Sequence, residues 1–199
     1  MWRETAVAPN AKNVEYYDKQ EAMLRDRILP RVGRIVNALD IGCGEGRFSL
    51  VLGEFCDRVE AFDLSPSLIQ EALKLAASAG RDNVTFSVRD AEDGIPAGRY
   101  DLIACMGVMS TIIDEAPYRQ LMSEISTRLG AGGHFITKDT TTSEAGDFIK
   151  ETKTSVRNYR SSSNYEAAIR AFNFDLVEKI EMTVSGPFVN HICLWRMAI

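Results

Sequence analysis

Two hydrophobic rhythms alternate along this chain. Short, almost continuous apolar runs read as buried strands: "RIVNALDI" (34–41), "RVEAFDL" (58–64), "NVTFSVRD" (83–90), "RYDLIACMGVM" (99–109) and "HFITKD" (134–139). The stretches between them carry helical spacing. In "SPSLIQEALKLAASAG" (65–80), Leu68, Ile69, Ala72, Leu75 and Ala76 share one face, Ser65 is the expected N-cap, Pro66 takes the first helical position and Gly80 is the stop. "GRFSLVLGEF" (46–55) and "APYRQLMSEISTRL" (116–129) follow the same rule, the second closed by the glycine-rich 130–133 segment.

After residue 139 the rhythm stops. Residues 140–163 are polar and aperiodic, longer than a compact domain leaves as plain loop. "NYEAAIRAF" (164–172) returns to helix, and "LVEKIEMTV" (176–184) and "GPFVNHICLWRMA" (186–198) predict a terminal antiparallel hairpin about Ser185, Gly186 and Pro187. Strand–helix alternation closed by such a hairpin predicts an α/β, doubly wound sandwich in a single domain, with ligands beyond the carboxyl ends of the strands.

Composition narrows the partners. A net charge of −5 argues against nucleic acid as the main one. No apolar run has the ~20 residues of a membrane span, and the N-terminus lacks the apolar stretch of a signal peptide. Cys43, Cys56, Cys105 and Cys193 are scattered and only two histidines are present, so neither a metal site nor a disulfide framework is expected. A reducing cytoplasm follows as the expected location, with a monomer or homodimer as the expected assembly.

The chemistry concentrates at "LDIGCGEG". Gly42, Gly44 and Gly46 alternate after the first strand, and Asp40 stands two positions before them. A dinucleotide turn would read G-x-G-x-x-G and hold a pyrophosphate. An acid at the strand end repels phosphate but suits a ligand with positive charge, while the amides of the turn are expected to receive a carboxylate. Asp63 ends the second strand roughly twenty residues on, where ribose hydroxyls are gripped. Asp90 ends the third, placed for an adenine edge, and "ACMGVM" opens after the fourth.

Taken in order, "LDIGCGEG", "VEAFDLS", "VRDAED", "YDLIACMGV" and "LGAGGHFI" resemble the motifs of the class I S-adenosylmethionine-dependent methyltransferases, across roughly residues 34–139. The resemblance implies a Rossmann-like, seven-stranded, mostly parallel sheet in the order 3-2-1-4-5-7-6 with the last strand antiparallel. It implies S-adenosylmethionine as cofactor and in-line methyl transfer to an oxygen or nitrogen of a small molecule. Asp40, Gly42, Cys43, Gly44 and Gly46 become the methionine-side floor; Asp63 takes the ribose. Asp90 and Ala91 face the adenine, with Leu64 as its apolar wall, and Cys105, Met106 and Gly107 line the methionine arm. "NVEYYDK" (13–19) resembles the family's aromatic segment that folds over the cofactor, which nominates Tyr16 and Tyr17 within a 1–33 cap segment.

The acceptor side is less marked. Asp139, His191 and Asp114 are the candidate bases. Residues 140–163 are the expected substrate lid: within "TKTSVRNYRSSSNY" (152–165) no acid appears, and Arg157 and Arg160, with Tyr159, Tyr165 and the nearby Lys138, are expected to hold a carboxylate, phosphate or phosphonate. The competing account of that stretch is a solvated basic loop. Asp101 reads as structural, and His134 as lying at the far end of the sheet. Two other functions stay open: a non-catalytic S-adenosylmethionine-binding module and a nicotinamide-dependent oxidoreductase.

Overall fold

The computed structural model describes residues 11–153 and 156–198. Seven strands form one sheet: β1 (Ile35–Ile41), β2 (Cys56–Asp63), β3 (Val84–Val88), β4 (Tyr100–Met106), β5 (Leu129–Thr142), β8 (Phe174–Ser185) and β9 (Phe188–Met197). Their order is β3-β2-β1-β4-β5-β9-β8, and only β9 runs against its neighbours. The last two strands carry higher numbers than expected because of an added hairpin, β6 (Phe148–Glu151) and β7 (Val156–Tyr159), which forms its own two-stranded sheet.

Helices cover both faces. α1 (Ala11–Met23), continued by a π-helical turn, and α2 (Arg47–Leu52) lie on one side; α3 (Pro66–Ala79) flanks β3. α4 (Glu115–Arg128) and α5 (Ser162–Arg170) lie on the other. Strand side chains alternate between faces, so β4 gives Leu102, Ala104 and Met106 to the α1–α2 core and Ile103 and Cys105 to the α4–α5 core. Trp195 is fully buried in the latter, its indole N–H donating to the Thr137 hydroxyl at 3.1 Å. α3 begins as expected: the Leu68 amide donates to Ser65 Oγ, and Gly80 ends the helix at φ +62°.

Three boundaries differ from the sequence reading. Gly130–Gly133 do not stop α4 but continue into β5 through an irregularity in the β4–β5 register between Tyr100 and Leu102. Thr140, Thr141 and Thr142 prolong β5 by pairing with β9, so the inserted segment starts later and folds as the β6–β7 hairpin. A threonine run has no apolar alternation, but β-branched residues pair well beside a strand that is already there. β3 stops at Val88, which leaves Asp90 in the connection beyond it. Among the described residues no helix is long and apolar enough to cross a membrane. The first ten residues of the 1–33 segment lie outside the description.

Candidate functional site

β1 delivers its chain into a turn that only glycine can make so tightly. Gly42, Gly44 and Gly46 have φ of +68°, +57° and +84°. A Cβ on Gly42 would run into the Val108 side chain, and one on Gly46 would meet Ala72 at 2.9 Å. Beside Gly44 the space is open. The Gly42 and Cys43 amides both donate to the Phe62 carbonyl, Gly44 donates to Asp63 Oδ2 at 2.9 Å and Gly46 donates to the Cys43 carbonyl. These four amides are therefore committed inside the protein, and the expectation that they receive a ligand carboxylate is corrected.

Asp63 ends β2 at the lip of this turn. Its second oxygen accepts from the Ser65 amide at 2.9 Å, which fixes the carboxylate while leaving a further lone pair on each oxygen. The Arg89 amide donates to the Asp63 carbonyl at 3.0 Å and so carries the β2–β3 pairing up to Asp90. Ala91 opens a one-turn 3-10 helix and packs on the core, while Leu64 is exposed. Asp40 lies deeper and is fully buried. Ser49 Oγ of α2 donates to its Oδ2 at 2.6 Å, and its Oδ1 has no partner among the described residues. Burial pushes this carboxyl up to about 7, against the Ser49 hydrogen bond and helped by the Asp63 charge. A buried acceptor without a donor fits a cationic ligand group.

Alternation along β5 separates Lys138 from Asp139. Lys138 faces the α1 side, its Nζ 5.8 Å from the centre of the Tyr16 ring and 3.8 Å from where a Gly107 Cβ would stand. Burial lowers its amine pKa, and the charge of Arg157 lowers it further against the opposing pull of Asp139. Asp139 faces α5 instead. It accepts from the Ser110 amide at 3.1 Å and from the Tyr165 hydroxyl at 3.2 Å, and burial holds its carboxyl at about 6. Arg157 donates to Ser110 Oγ at 3.3 Å, and Arg160 donates to the Met109 carbonyl at 3.2 Å while stacking over the Tyr118 ring at 3.9 Å. The turn after β4 is thus braced from the hairpin side and from β5.

Residues 34–183 match the family model described as a methyltransferase domain. The chain belongs to this methyltransferase family. S-adenosylmethionine is its cofactor. The methyltransferase is 24% identical over 162 residues to nodulation protein S of Sinorhizobium fredii (strain NBRC 101917 / NGR234), covering 81% of this chain and 69% of that one. It is 37% identical over 103 residues to the aklanonic acid methyltransferase DauC of Streptomyces sp. (strain C5), but this match spans 50% of the chain and 45% of DauC. Its fold is shared with the N-methyltransferase NodS from Bradyrhizobium japonicum WM9 in complex with S-adenosyl-L-homocysteine, at a TM-score of 0.70 and 18% identity over 96% of this chain and 90% of that one.

Against this frame, several expected site residues of the methyltransferase prove to be placed elsewhere. Cys105 is fully buried in the α4–α5 core, so only its backbone can line a ligand; burial raises its thiol pKa, as it does for Cys43. Asp139 and His191 are not open to an acceptor. His191 is fully buried beside Tyr165, and burial pushes its imidazole down to about 4, so it stays neutral. Asp114 is exposed at the N-cap position of α4, an ordinary structural place for an acid. Tyr165 points into the core and Arg160 is only 5% exposed, which removes both from an anion clamp and also rejects the solvated-loop account of that stretch. Tyr159 packs on Phe188 at 4.9 Å. Tyr17 packs on Phe48 and lies under the Arg47 guanidinium, at the start of α2. Asp101 is structural as read: its Oδ2 accepts from the Val36 and Asn37 amides. Val108 falls inside the "YDLIACMGV" stretch without having been nominated, and Ser110 carries no motif; only the packing of the turn against Gly42 and Asp139 brings them to the site.

Proposed function

We propose that this methyltransferase acts on an oxygen or nitrogen of a small anionic metabolite, with the acceptor's charge held between Lys138 and Arg157. One observation carries the reading: two cations flank the turn after β4, Lys138 with its Nζ 3.8 Å from where a Gly107 Cβ would stand and Arg157 donating to Ser110 Oγ at 3.3 Å. An anion set between the two would meet positive charge from both sides. Arg157 offers a planar fork for carboxylate or phosphate, and Lys138 a point charge.

The bound cofactor supplies a methyl group activated on a sulfonium. The chain's part is to bind and align. Asp63 takes the ribose hydroxyls, Leu64, Asp90 and Ala91 flank the adenine, and Asp40, the Gly42–Gly46 turn, Met106 and Gly107 floor the methionine arm. Tyr16 of α1 closes over it, and the β6–β7 hairpin walls the acceptor and keeps water out. An anionic oxygen arrives without a proton to lose, which suits a site where the carboxylate beside Lys138, Asp139, is bound to Ser110 and Tyr165. The name of DauC, an aklanonic acid methyltransferase, supports an acid as acceptor; that of NodS, an N-methyltransferase, keeps nitrogen in view.

The test is a screen of labelled methyl transfer to small carboxylates, phosphates, phosphonates, amines and neutral phenols. Acids are expected to turn over, and Arg157→Lys should lower kcat/KM about ten- to a hundredfold, about 1.4–2.7 kcal/mol. Turnover confined to neutral or cationic acceptors, or full activity in the lysine variant, defeats the anionic reading. Cofactor binding with no turnover on any acceptor would favour a non-catalytic binding module.

A further inference from the structure

Gln20 is fully buried, and among the described residues neither its Oε1 nor its Nε2 has a hydrogen-bond partner. A buried amide left wholly unmade is strongly disfavoured, so a group beyond the described residues is expected to meet it. Its position in α1 says where. Tyr16, one turn before, lies over Lys138 at the rim; Leu24, one turn after, is buried in the core with Ala38, Ala104, Met106 and Ile136. Helical spacing of four puts all three on one face. Gln20 therefore looks onto the sheet between the rim and the core.

On the sheet side of that layer stands Asp40. The strand register sets it level with Ala104, which pairs with Ile136, and its Oδ1 also lacks a partner among the described residues. The two side chains have complementary chemistry. An ionised Asp40 only accepts, whereas Gln20 also has two N–H groups to give. The amides of Gly42, Cys43, Gly44 and Gly46 are already spent on the Phe62 and Cys43 carbonyls and on Asp63. A zwitterion needs an acceptor for its ammonium and donors for its carboxylate, and the turn supplies few of the latter.

We infer that Gln20 binds the amino-acid end of S-adenosylmethionine, its Nε2 donating to the carboxylate while Asp40 accepts from the ammonium. The inference rests on the reading that this face is the cofactor site. It makes α1 part of the cofactor cradle and not only a cover.

The experiment measures, by calorimetry, binding of S-adenosylhomocysteine and of 5′-methylthioadenosine, which keeps the nucleoside and thioether but lacks the amino acid. In Gln20→Met, affinity for S-adenosylhomocysteine should fall about tenfold while that for 5′-methylthioadenosine is unchanged. The melting temperature of the ligand-free variant should rise, because an apolar side chain of similar shape replaces an unpaired amide. Gln20→Glu serves if the methionine variant folds poorly: a carboxylate there should repel the ligand's own, again weakening S-adenosylhomocysteine alone. Unchanged affinity for S-adenosylhomocysteine would mean that Gln20 meets only water, and equal weakening of both ligands would mean that it only shapes the fold; either overturns the inference. Wild-type protein that binds neither ligand overturns the cofactor-site reading itself.

Discussion

Asp63 and Asp101 both hold backbone amides, yet removing them should have different consequences. Asp101 ties two amides of β1 at the end of the sheet away from the site, so Asp101→Ala should cost about 1 kcal/mol of stability and leave cofactor affinity untouched. Asp63→Ala loosens the Gly44 and Ser65 amides and, on the proposed ribose contact, should weaken S-adenosylhomocysteine by about 2–4 kcal/mol in calorimetry. Asp40 predicts a pH effect. Its carboxyl, raised to about 7 by burial, binds a proton more tightly in the folded chain than in the unfolded one. Stability of the ligand-free protein should therefore decline as pH rises from about 4 to about 7, the interval between the two titrations. A cationic ligand group needs the ionised form, so affinity for S-adenosylhomocysteine should drop as pH falls below about 7, by up to tenfold per unit. Asp40→Asn should flatten that dependence; an equally steep profile in the variant would show that another group titrates.

At the scale of elements, the β6–β7 hairpin is held to the turn after β4 by Arg160, whose guanidinium lies over the Tyr118 ring and reaches the Met109 carbonyl. Lysine keeps the charge but not the flat stack. Arg160→Lys should lower stability by about 1–2 kcal/mol in thermal melts and raise KM for the acceptor, while cofactor affinity stays within error. Loss of cofactor binding in that variant would mean that the hairpin supports the glycine turn through Val108, which rests against Gly42. The same element explains why the sequence misled about its chemistry. Its acid-free basic stretch is real, but strand geometry and burial divide it: Arg157 is half-buried and reaches Ser110, whereas Arg160 and Tyr165 turn inward. Alternation along β5 likewise sends Asp139 to α5 and Lys138 to the opposite face, although they are neighbours in the chain.

For the molecule as a whole, a ligand that binds only the folded state raises its melting temperature by mass action. S-adenosylhomocysteine at a hundredfold excess over its Kd should add about 2.7 kcal/mol, or about 5–10 °C for a chain of this size, whereas NAD at the same concentration should add nothing measurable. A shift with NAD would reopen the nicotinamide reading. The strand–helix alternation, the doubly wound sheet, the glycine turn with Asp40 and Asp63, and the structural role of Asp101 were all legible in the chain itself. Each rests on a local rule: a hydrophobic period, a cap, or a glycine where φ turns positive. The β6–β7 hairpin, the commitment of the turn's amides, the burial of His191, Asp139 and Arg160, and the unpartnered amide of Gln20 were decided only by the tertiary structure. Burial and hydrogen-bond satisfaction depend on which distant elements pack together, and no periodicity along a single chain records which side chain is left without a partner when they do.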